Sequence, residues 1–426
     1  MKKITLFLYF ILSLNYAFSQ GKSDKLLVKL LKSHPDKFGM ILKEPEKYRV
    51  QIVYTQIDRD KDNVPHFKTY RYRLNKDEYF YPASTVKFPA CLLALEKLNQ
   101  LNVKGLSKAS PMQNDSVEQG QIRKYIDPTN TENYGLPSME HYIKKILLVS
   151  DNDAFNRLYE FMGQEAFNET LYKKGYKDLR IVHRLSVPFT REQNKRSNPV
   201  KFLTPATESL EPIYTQPVLV SNKLYEPKAP IKMGKGYMVA GKNYYVGDSL
   251  VNEPFDFTYK NYFALENQQA ILKACLFPES VKPENRFNLK QDDYAFLYKY
   301  MSMSPLESQC PAYPDKDSSG AWDSYCKFFM FGDSKAPMPK NIRIFNKVGD
   351  AYGFLLDNAY IVDFDKKIEF MLSAVIYCNS DGVFNDDKYD YETVGFPFMA
   401  QLGKVIYDFE SQRKRKFKPD LSKFKM

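Results

Sequence analysis

The stretch Tyr81-Pro82-Ala83-Ser84-Thr85-Val86-Lys87 is where the chain changes its pattern. Before it the sequence reads as strands. Residues 49–57 alternate, with Ile52 and Tyr54 set against polar neighbours, and a polar turn covers 58–66. Tyr70, Tyr72 and Leu74 then share one face, and Arg71 and Arg73 the other. This predicts a hairpin with one wet face. After Pro82, the apolar set Val86, Ala90, Leu93 and Ala94 predicts a helix over 84–98. Pro89, lacking an N–H, is expected to disturb its first part.

Working outward, residues 23–44 read as a helix, with Leu26, Leu27, Leu30 and Leu31 on one side. Met139, Tyr142, Ile143, Ile146 and Leu147 recur at helical spacing, as do Phe155, Leu158, Tyr159 and Met162. Gly163 and Gly175 stand where helices stop. Residues 185–285 are irregular and punctuated by proline, and a helix follows over 289–301. Strands return over 342–347, 357–362 and 368–377, the last two forming a hairpin. A final helix carries Val394, Phe398, Leu402, Val405 and Phe409 on one stripe. The expected fold class is α+β, an α/β sandwich. Its antiparallel sheet combines early and late strands, flanked by terminal helices, beside an all-helical lobe. The expected divisions are 20–80 with 285–412 as the α/β lobe, and 81–200 as the helical lobe. Residues 200–285 read as an insertion or enlarged loop region, and 413–426 as a basic tail.

Composition narrows the class. With 426 residues, 43% hydrophobic and 27% charged, the chain is neither a polytopic membrane protein, a collagen-like fibre nor fully disordered. Five cysteines are too few for a disulfide scaffold, although Cys310 and Cys326 could pair. Four histidines, with no H-E-x-x-H and no C-x-x-C, leave little for a metal site. Residues 1–19 read as a cleaved signal peptide. A basic start precedes an apolar run too short for a bilayer, which takes about 20 residues. A periplasmic or extracellular location follows. Much of the net charge of +11 sits in the tail, at Arg413, Lys414, Arg415, Lys416, Lys418, Lys423 and Lys425. That tail reads either as a solvated, frayed end or as a site of attraction to anionic envelope polymers. Nucleic acid is not an expected partner of an exported chain, and a monomer is expected.

Three short patterns carry chemistry. Ser84 stands at a helix start and Lys87 one turn on, so a lysine on an apolar face can take the serine proton. The bland reading is an N-cap with a snorkelling lysine, and S-x-x-K recurs elsewhere in the chain. Ser150-Asp151-Asn152 falls between two amphipathic helices, where a hydroxyl can relay a proton and an amide can hold a substrate amide. Its bland reading is helix capping. Lys347-Val348-Gly349, followed by Asp350, ends a late strand. There a lysine can hold a carboxylate and a glycine admits a close approach. The bland reading is an ordinary edge-strand lysine. His183 reads as a satisfied loop histidine and Cys91 as a buried thiol.

In that order the three patterns resemble S-x-x-K, S-D-N and K-T-G of penicillin-recognising serine enzymes, and the chain resembles the class A β-lactamase family. The likeness covers residues 40–180 and 285–412. It implies a serine hydrolase with Ser84 as acylated nucleophile, Lys87 as base or proton shuttle, Ser150 as proton relay and Lys347 as electrostatic stabiliser. It implies substrate binding by Asn152 and Gly349, and an oxyanion hole from the N–H groups of Ser84 and Asp350. No cofactor is implied. Two departures stand out. Val348 lacks the hydroxyl expected in the middle of K-T-G. Ser186 stands where the family has a glutamate that activates the deacylating water, and Glu192 is the carboxylate near enough in sequence to substitute. The expected substrate is a β-lactam. A D,D-peptidase acting on peptidoglycan stem peptides, and a non-catalytic envelope-binding or β-lactam-sensing protein, are the alternatives.

Overall fold

The computed structural model describes residues 21–115, 126, 127, 129, 132, 135–204, 211–227, 232, 233, 236–313 and 320–425. The signal peptide read over 1–19 lies outside the described residues.

One five-stranded antiparallel sheet organises the molecule. Its strands are β1 (Gln51–Arg59), β2 (Pro65–Tyr72), β3 (Ile342–Ala351), β4 (Phe354–Asp363) and β5 (Ile368–Tyr377), in the spatial order β3-β4-β5-β1-β2. Early and late strands thus meet at β1 and β5, with Ile52 opposite Ala374. On one face pack α1 (Lys25–Lys32), α2 (Pro35–Lys43) and the last helix, α10 (Phe396–Gln412). Leu27, Phe38, Ile52, Tyr54, Leu372 and Leu402 lie in that core. The segment read as one helix over 23–44 is two, because Pro35 begins α2 and cannot continue a helix from α1.

The other face is covered by a helical lobe. It contains α3 (Lys87–Leu101), α4 (Met139–Val149), α5 (Asn152–Met162), α6 (Gln164–Lys173), the short α7 (Arg191–Lys195), α8 (Leu265–Leu276) and α9 (Gln291–Ser302). The α+β arrangement expected from the sequence is the one observed, with three corrections. First, α8 lies inside the span read as an insertion, yet it packs on β1, β4 and β5. Second, β1 has no wet face. Its polar Thr55 is buried and donates to Gln269 Oε1 of α8 at 2.7 Å. The Gln269 amide in turn donates to Val53 O and Ser373 Oγ at 3.0 and 2.9 Å. A satisfied polar pair costs little to bury, so polar alternation here marks a hydrogen-bonded interior. Third, the basic tail is anchored. Leu421 and Phe424 are buried, and Arg413 and Arg415 both bond to the buried Glu410.

Pro89 is also absorbed without disturbance. It is the third residue of α3, inside the first turn, where a helix has no use for its N–H. Among the described residues no helix is long and apolar enough to cross a membrane. Cys326 carries a free thiol, so the bridge considered with Cys310 is not formed.

Candidate active site

A tight turn, Ala83–Val86, delivers Ser84 ahead of α3. Ala83 holds a left-handed φ of 46°, sparsely populated for a residue with a Cβ, and is itself buried. Such a conformation persists only when its surroundings enforce it. The enforcement comes from β3. A Cβ on Gly349 would stand 2.8 Å from Ser84 N and 3.0 Å from Thr85 N. Glycine at 349 therefore lets the strand press directly on the backbone of the serine turn.

Lys87, one turn on, is fully buried. Its Nζ lies 2.8 Å from Ser84 Oγ, 2.6 Å from Asn152 Oδ1 and 3.2 Å from Ser150 Oγ, and it also donates to Ser150 O. Burial, reinforced by the charge of Lys347, holds its pKa well below the usual lysine range. In its neutral form the amine has two N–H groups and one lone pair. Two neighbours, the carbonyls of Asn152 and Ser150, can only accept. They take the two N–H groups, leaving the lone pair for the Ser84 hydroxyl.

Ser150 is placed by the end of α4. It takes a left-handed φ of 59° as the helix closes, and Asp151 then caps α5 by accepting from Ala154 N–H at 2.7 Å. Asp151 is further held by Lys145 at 3.1 Å, and Lys145 by Asp127 at 3.0 Å. The capping reading and the chemical reading of Ser150-Asp151-Asn152 thus hold together, because Asp151 caps while its neighbours face Lys87. Lys347 on β3 is buried and donates to Ser150 Oγ at 2.8 Å and to Val348 O at 2.9 Å. Ser150 Oγ therefore sits between two lysines. Val348, one residue on, turns into the core behind the sheet.

These groups open onto a cleft of about 440 Å³ lined by Ser84, Asn152, Ser186, Asp350, Asn385 and Asp387, with four tyrosines, Tyr81, Tyr352, Tyr389 and Tyr391. Ser186 is exposed at φ 54°, and its Oγ accepts from Asn152 Nδ2 at 2.8 Å. Its loop is fixed from below. Asn156 donates to Leu185 O and accepts from Leu185 N–H, at 2.9 and 2.8 Å, and the fully buried Arg184 bonds Glu160 at 3.1 Å. His183 accepts from Asn261 N–H through Nε2 at 3.1 Å and contacts Arg184 O through Nδ1 at 2.6 Å. Burial pushes it down to about 3. It is a neutral, satisfied loop histidine.

The structure brings Ser84, Lys87, Ser150, Asn152, Lys347, Gly349 and Asp350 together. It does not bring Glu192, whose side chain is 76% exposed, pairs with Lys195 at 3.1 Å and is not part of the cleft wall. The sequence reading of Glu192 as water activator is corrected accordingly: α7 turns that residue outward. Missed from sequence were Tyr352, Tyr389, Tyr391, Asn385 and Asp387, all distant in the chain and without a motif. Tyr352, with its positive φ of 53° beside Gly353, had a local signal in the turn itself.

Residues 39–219 match the model of a family described as the β-lactamase enzyme family. Among solved structures the chain is similar to a β-lactamase from Sphaerobacter thermophilus, at 11% identity and TM-score 0.47, covering 91% of this chain and 98% of that one. It is similar to the class A β-lactamase from Clostridium kluyveri at 15% identity and TM-score 0.46, covering 89% and 98%. It is also similar to PBP-A, at 11% identity and TM-score 0.45, covering 90% and 96%. No curated protein matches the chain. Residues 39–219, which carry Ser84, Lys87, Ser150 and Asn152, are thus similar to the β-lactamase enzyme family.

Proposed function

We propose that the protein is an exported acyl-serine hydrolase that opens the amide of β-lactams and releases its product slowly. The observation that carries this reading is Lys87, buried with its Nζ 2.8 Å from Ser84 Oγ. Neutral Lys87 takes the Ser84 proton as Oγ attacks the carbonyl carbon. The developing oxyanion is stabilised by the backbone N–H groups of Ser84 and Asp350. As the C–N bond breaks, Lys87 passes its proton through Ser150 Oγ to the leaving nitrogen. Lys347 holds that hydroxyl in place and supplies positive charge.

Slow release is supported by Ser186. Its Oγ accepts from Asn152 at the cleft wall, and it offers a hydroxyl at the position where the resemblance implies a carboxylate base. A hydroxyl at its ordinary pKa does not activate water. The same observation favours a second reading, a D,D-peptidase of penicillin-binding type working on peptidoglycan stem peptides, since such an enzyme also keeps a long-lived penicillin adduct.

Intact-mass spectrometry after mixing with a penicillin, followed over time, tests the proposal. The expected result is an adduct on Ser84 that forms, decays slowly and is absent from Ser84→Ala. A permanent adduct selects the peptidase reading. No adduct, with a control enzyme labelled in the same tube, would falsify acyl-serine chemistry.

A further inference from the structure

Behind the segment that carries Ser186 lies a second cavity, of about 200 Å³, which shares no lining residue with the cleft. Arg191, Lys195, Lys223 and Lys260 line it, against the single carboxylate of Asp256. That carboxylate is partly committed, because Oδ1 accepts from Thr258 N–H at 2.7 Å.

Three of the four cations have acidic partners. Arg191 pairs with Glu226, Lys195 with Glu192 at 3.1 Å, and Lys223 with Glu169 at 2.9 Å. None of those glutamates lines the cavity. The pairs are at least partly open to water, where such contacts are weak and readily exchanged. Lys260 is different. Among the described residues it has no carboxylate partner, and its Nζ lies 3.5 Å from the Tyr352 hydroxyl and 5.5 Å from the ring centres of Phe255 and Tyr352. A half-buried ammonium held over aromatic faces, at the wall of a cavity rich in cations, lacks an anion.

We propose that this cavity binds an oxyanion, the carboxylate or phosphate group of a small ligand distinct from the acyl substrate, with Lys260, Lys223 and Arg191 as its principal contacts. The cavity also has a route to the cleft. His183 lines the cavity and stacks on Tyr81 with ring centres 6.2 Å apart, and Lys260 reaches Tyr352. Both tyrosines line the cleft.

The test is isothermal titration of the full chain with inorganic phosphate and, separately, with succinate, at constant ionic strength. The expected result is saturable one-site binding of at least one probe. That binding should weaken about tenfold, or 1.4 kcal/mol, in Lys260→Met and in Lys223→Ala, and persist in Ser84→Ala. Lys223 is half exposed, so its variant reports on the site even if Lys260→Met perturbs the aromatic cluster. Preference for phosphate or for succinate identifies the source of the oxyanion. No saturable binding of either probe overturns the proposal. So does binding as tight as the unmodified chain's in both lysine variants, and so does binding lost in Ser84→Ala, which would place the anion in the cleft. None of these readouts depends on acylation.

Discussion

Lys87 and Lys347 share the hydroxyl of Ser150, at 3.2 and 2.8 Å, and two ammonium groups cannot both stay charged cheaply in one buried site. Burial comes first and the charge of Lys347 second in lowering Lys87. In the proposed mechanism acylation requires the neutral amine, so its rate should rise with pH through the lowered pKa of Lys87 and fall as pH drops below it. Lys347→Met removes the neighbouring charge, so the limb of the stopped-flow acylation profile should move to higher pH. A limb that does not move would show the two lysines to be independent. His183, already held near 3, adds no limb in the working range. Lys87→Ala should slow acylation by about a hundredfold or more, the scale of a positioned base. Ser186→Glu addresses the other half-reaction. It places a carboxylate beside Asn152 at a position already open to the cleft, and should convert a slowly decaying adduct into steady turnover, read by release of hydrolysed penicillin.

At the scale of elements, the site is a junction between β3 and the turn before α3, and Gly349 sets how close they come. Gly349→Ala would force a Cβ to within 2.8 Å of Ser84 N, so the strand or the turn must retreat. Overpacking of this kind costs roughly 1–3 kcal/mol. The expected outcome is a lowered urea midpoint together with slower labelling of Ser84, because the displaced backbone includes the nucleophile's own N–H. Unaltered labelling would mean that the turn does not depend on the strand. This junction also shows what was legible in the chain. Ser84, Lys87, Ser150 and Asn152 could be read because each sits at an element boundary with its own punctuation, Pro82 before the turn and two helix stripes around Ser150. Lys347 could be read from the strand pattern leading up to it, although the strand expected to end at 347 runs on to Ala351 and leaves Lys347 in its middle. The hairpin of β4 and β5 was legible for the same reason. Helix α8 was not, because its buried side mixes Ile271, Leu272 and Leu276 with Gln268 and Gln269. The periodicity of a helix is hidden when amides are buried and satisfied by a sheet. The cleft tyrosines were hidden by number: among 32 tyrosines, no local rule separates a lining ring from a core ring.

For the molecule as a whole, the question is what holds the sheet and the helical lobe in register around the cleft, and the C-terminal tail is part of the answer. Phe424 packs against Phe277 after α8, Tyr298 of α9 and Tyr360 of β4, with ring centres 5.8, 5.4 and 4.9 Å apart. It thus touches both lobes at once. Upstream, Glu410 is fully buried and is satisfied by Tyr54 of β1, Arg413 and Arg415. Ending the chain after Gln412 would remove both guanidinium groups and leave Glu410 with the tyrosine alone. Breaking a buried ion pair costs about 3–5 kcal/mol. Losing the burial of Leu421 and Phe424 adds about 1.5–3 kcal/mol each. These sums approach the total stability of an ordinary domain. The truncated chain should therefore unfold at a much lower urea concentration, or fail to accumulate folded, and Phe424→Ala alone should cost about 3–5 kcal/mol. The charges outside this network behave differently. Lys414, Lys416 and Lys418 are exposed, and changing all three to glutamine should leave the urea midpoint where it was. If the lysine variant falls and Phe424→Ala does not, the tail acts through its charge and not as a clasp between the lobes.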